Sequence, residues 1–257
     1  MPRERANAGD PARTLELLWR PPPAGARHGP PQGLSIDAVV DAAVAVADAE
    51  GLDAVTMRRV ATELRVAPMT LYTYVPGKAE LLDLMLDGVY RDMTRTATAG
   101  RGWRERVTAV AEENRALFAA HPWAATISTA RPPLGPGAMA KYEHELSALD
   151  GLGLDDVTMD DALTYLLAFV QACARTAADV RAARHDSALT DAQWWAANAP
   201  LLERVFDADA YPTAARVGAA AGAAHDTAYD PDHAYRFGLR RVLAGLAALI
   251  EAPDGRP

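Results

Sequence analysis

Apolar positions along this chain recur at helical spacing, and no stretch alternates as a strand would. The first strong stripe starts behind Ser35, a good N-cap, with Asp37 in the first turn; Ile36, Val39, Val40, Ala43, Val44 and Ala47 share one face. Glu50-Gly51 ends this helix, the glycine supplying a left-handed cap. Thr56 caps a short second helix, Met57 to Leu64, with Val60, Ala61 and Leu64 facing inward. Arg65-Val66-Ala67 separates it from a third helix that starts at Pro68, where proline is tolerated, and runs to about Val75. After a Pro76-Gly77 turn, Lys78 to about Arg95 forms a long fourth helix striped by Leu81, Leu82, Met85, Leu86 and Val89. Further helices are predicted at roughly 103–120, 136–149, 157–184, 190–206 and 232–251. The fold class is all-α.

The segment ahead of Ser35 is different. Residues 1–33 hold seven prolines and four glycines, and only Thr14 to Trp19 hints at a helix, so the segment reads as a flexible arm; 253–257 reads as a tail. No apolar run reaches the roughly 18 residues of a membrane span, and MPRERANAGD lacks the apolar stretch of a secretory signal. One cysteine, Cys173, excludes an internal disulfide and a cysteine-rich zinc site, and suits a cytoplasmic location. Arginine and alanine in excess, with only two lysines, point to a GC-rich bacterial genome. The net charge of −8 looks wrong for a nucleic-acid binder until it is split. Residues 1–106 carry 14 basic and 14 acidic side chains, and the remainder 12 and 20. The acidic excess lies wholly in the back half, which permits DNA binding by the front half without establishing it.

Two short helices joined by a three-residue turn and braced by helices on either side form a standard DNA-docking unit. Val60, Ala61, Leu64, Val66, Leu71 and Val75 are placed to pin its two helices, Leu71 and Val75 sharing a face at four-residue spacing. Pro68, Met69, Thr70, Tyr72, Thr73 and Tyr74 are left partly or wholly outward. Their hydroxyls suit phosphates or base edges, and Met69 suits a thymine methyl. An all-helical enzyme is the competing class. The chain shows no His-Glu-x-x-His, nucleophile elbow or phosphate loop, and Asp155-Asp156 and Asp160-Asp161 suit a helix start better than a metal. A ligand-binding protein with a degenerate DNA head is the third reading.

The stretch from Ala49 to Leu64, followed by Thr70-Leu-Tyr-Thr-Tyr-Val-Pro-Gly-Lys-Ala-Glu-Leu-Leu, closely resembles the tetracycline-repressor (TetR) family over about residues 35–90. The resemblance implies that Tyr72 and Tyr74 touch the DNA backbone and that Lys78 grips a phosphate. It places Arg58 where bases or backbone are contacted, and Pro68, Met69 and Thr70 where the family reads sequence. It divides the chain into a helix-turn-helix DNA-binding domain at 34–80 and a helical ligand-binding and dimerisation domain at 81–252. Two departures stand out. Arg65 replaces a usual glycine at a turn position that favours a left-handed backbone, at a cost of about 1 kcal/mol, and is either a phosphate contact or simply solvated. Ala67 is a poor N-cap where Ser or Thr is usual.

The back half resembles the C-terminal domain of the tetracycline-repressor branch more loosely, through Leu117-Phe-Ala-Ala-His-Pro-Trp, Gly135-Pro-Gly to Leu149, the helix around Phe169, Tyr211-Pro and Asp232-His-Ala-Tyr-Arg-Phe-Gly-Leu. By that resemblance the 157–184 and 232–251 helices pair with a second copy in a four-helix bundle, giving a homodimer. Small residues beside Leu239, Val242, Leu243, Leu246 and Ile250 suit such packing. An effector pocket is expected between the 103–120 helix and the core of this half. Candidate lining residues are Asn114, Phe118, His121, Trp123, Tyr142, Phe169, Gln171 and Trp194. Val110 and Ala111 sit where an asparagine of the family's drug-and-magnesium site would be needed, so neither tetracycline nor magnesium is carried over. The expectation is a repressor without a cofactor or metal, bound to a near-palindromic double-stranded operator and released by a small molecule. A basic arm (Arg13, Arg20, Arg27) entering the minor groove and an arm without a role both remain open.

Overall fold

The first three helices of the front region begin where a side chain, Asp10, Ser35 or Thr56, satisfies a free N–H group, whereas the two that follow Ala67 and Gly77 have no side-chain cap. The computed structural model describes residues 9–21, 34–127, 130–225 and 229–251. Its helices, in chain order, are α1 (Pro11–Leu18), α2 (Ile36–Glu50), α3 (Met57–Glu63), α4 (Pro68–Leu71), α5 (Lys78–Asp92), α6 (Trp103–Ala120), α7 (Pro136–Ser147), α8 (Asp156–Ser187), α9 (Asp191–Leu202), α10 (Pro212–His225) and α11 (Pro231–Ile250). Among the described residues there is no strand. The Ser35 hydroxyl accepts from the Ala38 N–H (3.1 Å) to start α2, and Thr56 accepts from the Arg59 N–H (3.1 Å) to start α3. Asp155 does the same for α8, accepting from the N–H groups of Val157 and Thr158 (both 3.0 Å).

Helices α2, α3 and α4 pack on one another and on the front of α5 to make the head. Val39, Ala43, Val55, Val60, Ala61, Leu71, Val75 and Leu81 are fully buried there. The body is built from the rest of α5 with α6, α7, α8 and α11, α5 lying on α7 and α6 on α8. Every position of α5 from Glu80 to Asp87 is buried. Such a helix carries its polar groups inside only when they find partners, and Asp87 finds the start of α7. Its carboxylate accepts from the Ala138 N–H (2.8 Å), supplying the cap that Gly135 lacks a side chain to provide. The approach is so close that a Cβ on Gly137 would lie 2.0 Å from the Asp87 carbonyl oxygen.

Three segments depart from the sequence-based reading. Residues 11–18, expected within a flexible arm, form α1, with Thr14, Leu17 and Leu18 buried against α5. α1 is tied at three points: the Asp10 N–H donates to Glu80 (3.3 Å), Arg20 pairs with Asp37 of α2, and the Trp19 ring N–H donates to the Leu134 carbonyl (2.7 Å). Arg13 pairs with Glu16, so Arg13 and Arg20 are both engaged within the protein; Arg27 and the expected tail at 253–257 lie outside the described residues. α10 is a helix where none was expected. α5 stops at Asp92 rather than near Arg95, because Arg95 turns back and donates to the carbonyls of Tyr90 (2.7 Å) and Arg91 (3.1 Å), satisfying the helix end.

Candidate nucleic-acid interface and effector region

The outer surface of α3 and α4 gathers polar and adaptable side chains above an apolar base. Leu71 and Val75 are fully buried, with Leu64 and Val66 packed beside them. Above them Pro68 and Thr73 are exposed, Met69 is 74% exposed and Tyr72 46%. Thr70 is half-buried, and its carbonyl accepts the Thr73 hydroxyl (2.6 Å). Tyr74 leans onto the core and is half-buried too. α4 ends at Leu71 instead of running to about Val75 as expected, the chain continuing through tight turns to Val75.

Two arginines of the head differ: one is engaged and one is available. Arg59 is held by Glu50 (2.6 Å) and Glu63 (2.8 Å), which fixes α3 against α2. The hydrogen-bonded Arg59 guanidinium holds the Glu50 carboxyl below its ordinary range, and the two carboxylates hold Arg59 above its own. Arg58 is exposed and its guanidinium has no ion pair or hydrogen bond with the described residues. Lys78 opens α5 behind Gly77, whose backbone is extended and offers no side-chain cap. A lysine beside the free N–H groups of a helix start concentrates positive charge, which suits an anion.

The effector candidates do not converge on one place. Phe118 lines a cavity of about 240 Å³ between α6, α8 and α11, with Arg115, Cys173 and Tyr235. Phe169 forms part of the adjoining wall, stacked on Tyr235 at 5.8 Å, and reaches the backbone of Gly238, where a Cβ would meet its ring at 2.3 Å. Arg115 lies over the Tyr235 ring (4.3 Å) and pairs with Asp232 (2.6 Å). Burial, and then the Glu112 carboxylate, push the Tyr235 phenol above its ordinary value. Asn114 is buried, but its amide donates to Glu145 (2.5 Å), which also binds Lys141 (2.6 Å), so it belongs to a closed polar network.

The remaining candidates sit elsewhere. His121 (2.9 Å) and Trp123 (2.7 Å) both bond Asp48 of α2, joining head to body. Gln171 donates to the Ala125 carbonyl (3.1 Å) and Tyr142 to Asp160 (2.8 Å) on the surface. Trp194 is exposed on α9, edge-on to Trp195. Tyr235 and Arg115 were missed by the sequence reading. The signal for Tyr235 was its place on the stripe it shares with Leu239, Val242 and Leu246. A larger groove of about 580 Å³ opens between the end of α5 and α6, lined by Val89, Met93, Thr96, Glu112, Leu117 and His121 among others.

Comparison with known proteins agrees with this geometry. Residues 39–85 match the family described as "Bacterial regulatory proteins, tetR family", and residues 97–250 match "Tetracyclin repressor-like, C-terminal domain". The chain is 43% identical over 256 residues to the HTH-type transcriptional repressor DrrR1 of Streptomyces coeruleorubidus, covering 98% of this chain and 91% of that one. It is 31% identical to the TetR family protein ActR of Streptomyces coelicolor, solved in complex with actinorhodin, with a TM-score of 0.67 over 84% of this chain and 98% of that one. It is also 23% identical to the class E tetracycline repressor protein of Escherichia coli, over 87% and 96% of the two chains. With an all-helical fold, a helix-turn-helix head and matches along both halves, the chain belongs to the TetR family of bacterial transcriptional regulators.

Proposed function

We propose that the chain is a homodimeric repressor that holds a near-palindromic operator and lets go when a small molecule binds its body. The observation that carries this is the outward face of α3 and α4: exposed Arg58, Pro68, Met69 and Tyr72 over a fully buried apolar base, with Lys78 at the adjoining helix start. Tyr72, Tyr74 and Lys78 hold the DNA backbone and set the register, and Arg58 contacts bases or backbone. Pro68, Met69 and Thr70 read bases. Repression follows the similarity to DrrR1, and release by a small molecule follows the similarity to ActR with its bound actinorhodin. The cavity beside Phe118 and Tyr235 suits the ring of an effector, with Arg115 for its acidic group. α8 and α11 supply the pairing surface for a second copy. The protein acts where its DNA lies, in the cytoplasm, and among the described residues no helix is long and apolar enough to cross a membrane.

The test is binding to the DNA flanking the protein's own gene. A protected near-palindrome is expected, its two half-sites about one helical turn, 34–36 Å, apart or slightly more. Lys78→Ala should weaken binding to every sequence alike and lower the salt slope by about one unit, whereas Met69 or Thr70 changes should alter which bases are preferred. Equal, sequence-independent losses from both kinds of change would overturn the division of roles.

A further inference from the structure

The turn between α3 and α4 places an arginine where the backbone calls for glycine. α3 closes with a pair of reversed hydrogen bonds: the Val66 N–H donates to the Ala61 carbonyl (3.0 Å) and the Arg65 N–H to the Thr62 carbonyl (3.1 Å). This closure needs a left-handed residue between the helix end and Val66, and Arg65 takes that conformation at φ +57°. Val66 then folds back onto the core, which is the apolar contact that accompanies such caps. Glycine adopts a positive φ without steric strain, and a glycine, Gly51 at φ +85°, supplies the positive φ at the end of α2. An L side chain in this position sets its Cβ against the following carbonyl.

The cap bonds and the Val66 contact would be made by glycine as well, so among the described residues nothing calls for an arginine side chain here. The Arg65 side chain is exposed, and its guanidinium makes no ion pair or hydrogen bond with the described residues. Its neighbour Arg59 is the opposite case, gripped by two carboxylates. Arg65 resembles Arg58 instead. The two bracket α3, Arg58 in its first turn and Arg65 just past its C-terminal cap at Leu64. Only two residues, Val66 and Ala67, separate Arg65 from Pro68, the first residue of α4.

We infer that Arg65 contacts a DNA phosphate next to the start of α4, and that this contact is what keeps a strained arginine at the turn. The inference rests on the reading of α3 and α4 as the DNA-facing unit. A guanidinium offers paired donors to phosphate oxygens, and phosphate contacts fix register without reading bases. The consequence is a grip on DNA that is indifferent to sequence and that a glycine-bearing turn does not have.

The experiment compares the parent with Arg65→Gly and Arg65→Lys by fluorescence anisotropy, on the flanking-DNA operator and on an unrelated duplex, between 50 and 200 mM salt, with thermal midpoints measured alongside. Arg65→Gly should melt at or above the parent temperature and bind both DNAs more weakly by the same factor. Its salt slope should fall by about one unit, so that its deficit shrinks about fourfold across that salt range. Arg65→Lys keeps the charge and should recover most of the slope. A parent-like isotherm and slope for Arg65→Gly overturn the phosphate contact, and a lower melting temperature overturns the strain. A parent that binds neither DNA takes down the DNA-facing reading as well, whereas a parent that binds normally beside an unaffected Arg65→Gly removes only the role of Arg65.

Discussion

The head with its pivot helix α5, and the distal pair α9 and α10, are both helical but are held in opposite ways. In the head, apolar side chains recur with the helix and go inside: Val39, Val60, Leu71, Val75, Leu81, Met85 and Leu86 have essentially no exposed surface. In α9 and α10 no described side chain is buried, and Trp194, Leu201, Leu202, Val217 and, between the helices, Val205 and Tyr211 face outward. One region is folded by its own interior. The other displays apolar surface of the kind that, gathered in one place, marks an interaction site.

The largest effect should separate the two regions directly. Leu86→Ala should cost about 2–5 kcal/mol of folding stability, as cavity-forming changes in a packed core do. Val205→Ser, at a position 79% exposed, should stay within about 0.5 kcal/mol when the protein is dilute. Chemical denaturation of both variants at several protein concentrations makes the comparison. Equal losses at every concentration would show that α9 and α10 belong to a hidden core. A Val205→Ser deficit that grows with concentration would instead mark that surface as part of the dimer.

A smaller effect is expected at the α5–α7 joint. Gly137→Ala places a methyl against the Asp87 backbone and should cost about 1–3 kcal/mol, the usual price of overpacking. Gly222→Ala in α10, where a Cβ would meet nothing, should be neutral or stabilising. Thermal melts of the pair would decide; a harmless Gly137→Ala would mean that α7 can stand off from α5.

These outcomes also bear on what was readable from the sequence. α2 to α5 were readable because strict helical periodicity, the caps at Ser35 and Thr56 and the Gly51 stop all act within a few residues of one another. The left-handed backbone at Arg65 was reached through the family resemblance, which puts a glycine at that turn. α1 was not, because Leu17 and Leu18 are buried by α5, more than sixty residues away, and Pro21-Pro22-Pro23 beside them reads as irregular chain. α10 was missed because its Ala/Gly-rich run has no contrast between faces. The effector candidates scattered because an aromatic residue at helical spacing announces burial without saying against what. Trp123 proved to be bonded to α2, and Asn114 to Glu145.

The smallest effect concerns pH. Burial holds the Asp87 carboxyl above its ordinary value of 3.8, with the N–H groups of Ala138 and Gly137 and the charges of Arg91 and Arg20 pulling it back. A carboxyl raised on folding binds its proton more tightly in the folded state, so this group favours the folded state at low pH and loses that contribution as pH rises through its folded value. Asp87→Asn keeps an acceptor for the start of α7 and removes the titration. Its melting temperature relative to the parent should therefore be highest near neutral pH and decline as pH falls toward 3.8. A difference that stays flat from neutral pH to that point would show that Asp87 titrates as an ordinary surface carboxyl.

The burial of α5 on every side has a mechanical consequence. A helix of 15 residues is a rod about 22 Å long, and a tilt of about 5° at one end carries the other through about 2 Å. With α1, α2 and α7 pressed against it, the rod has little room to bend, so such a tilt crosses it undiminished. α1, bound to Glu80 at the front of the rod and to Leu134 through Trp19, then sets the position of the fulcrum. The leverage with which the body addresses the head is thus fixed by residues that precede the stretch at 39–85 by which the head is recognised.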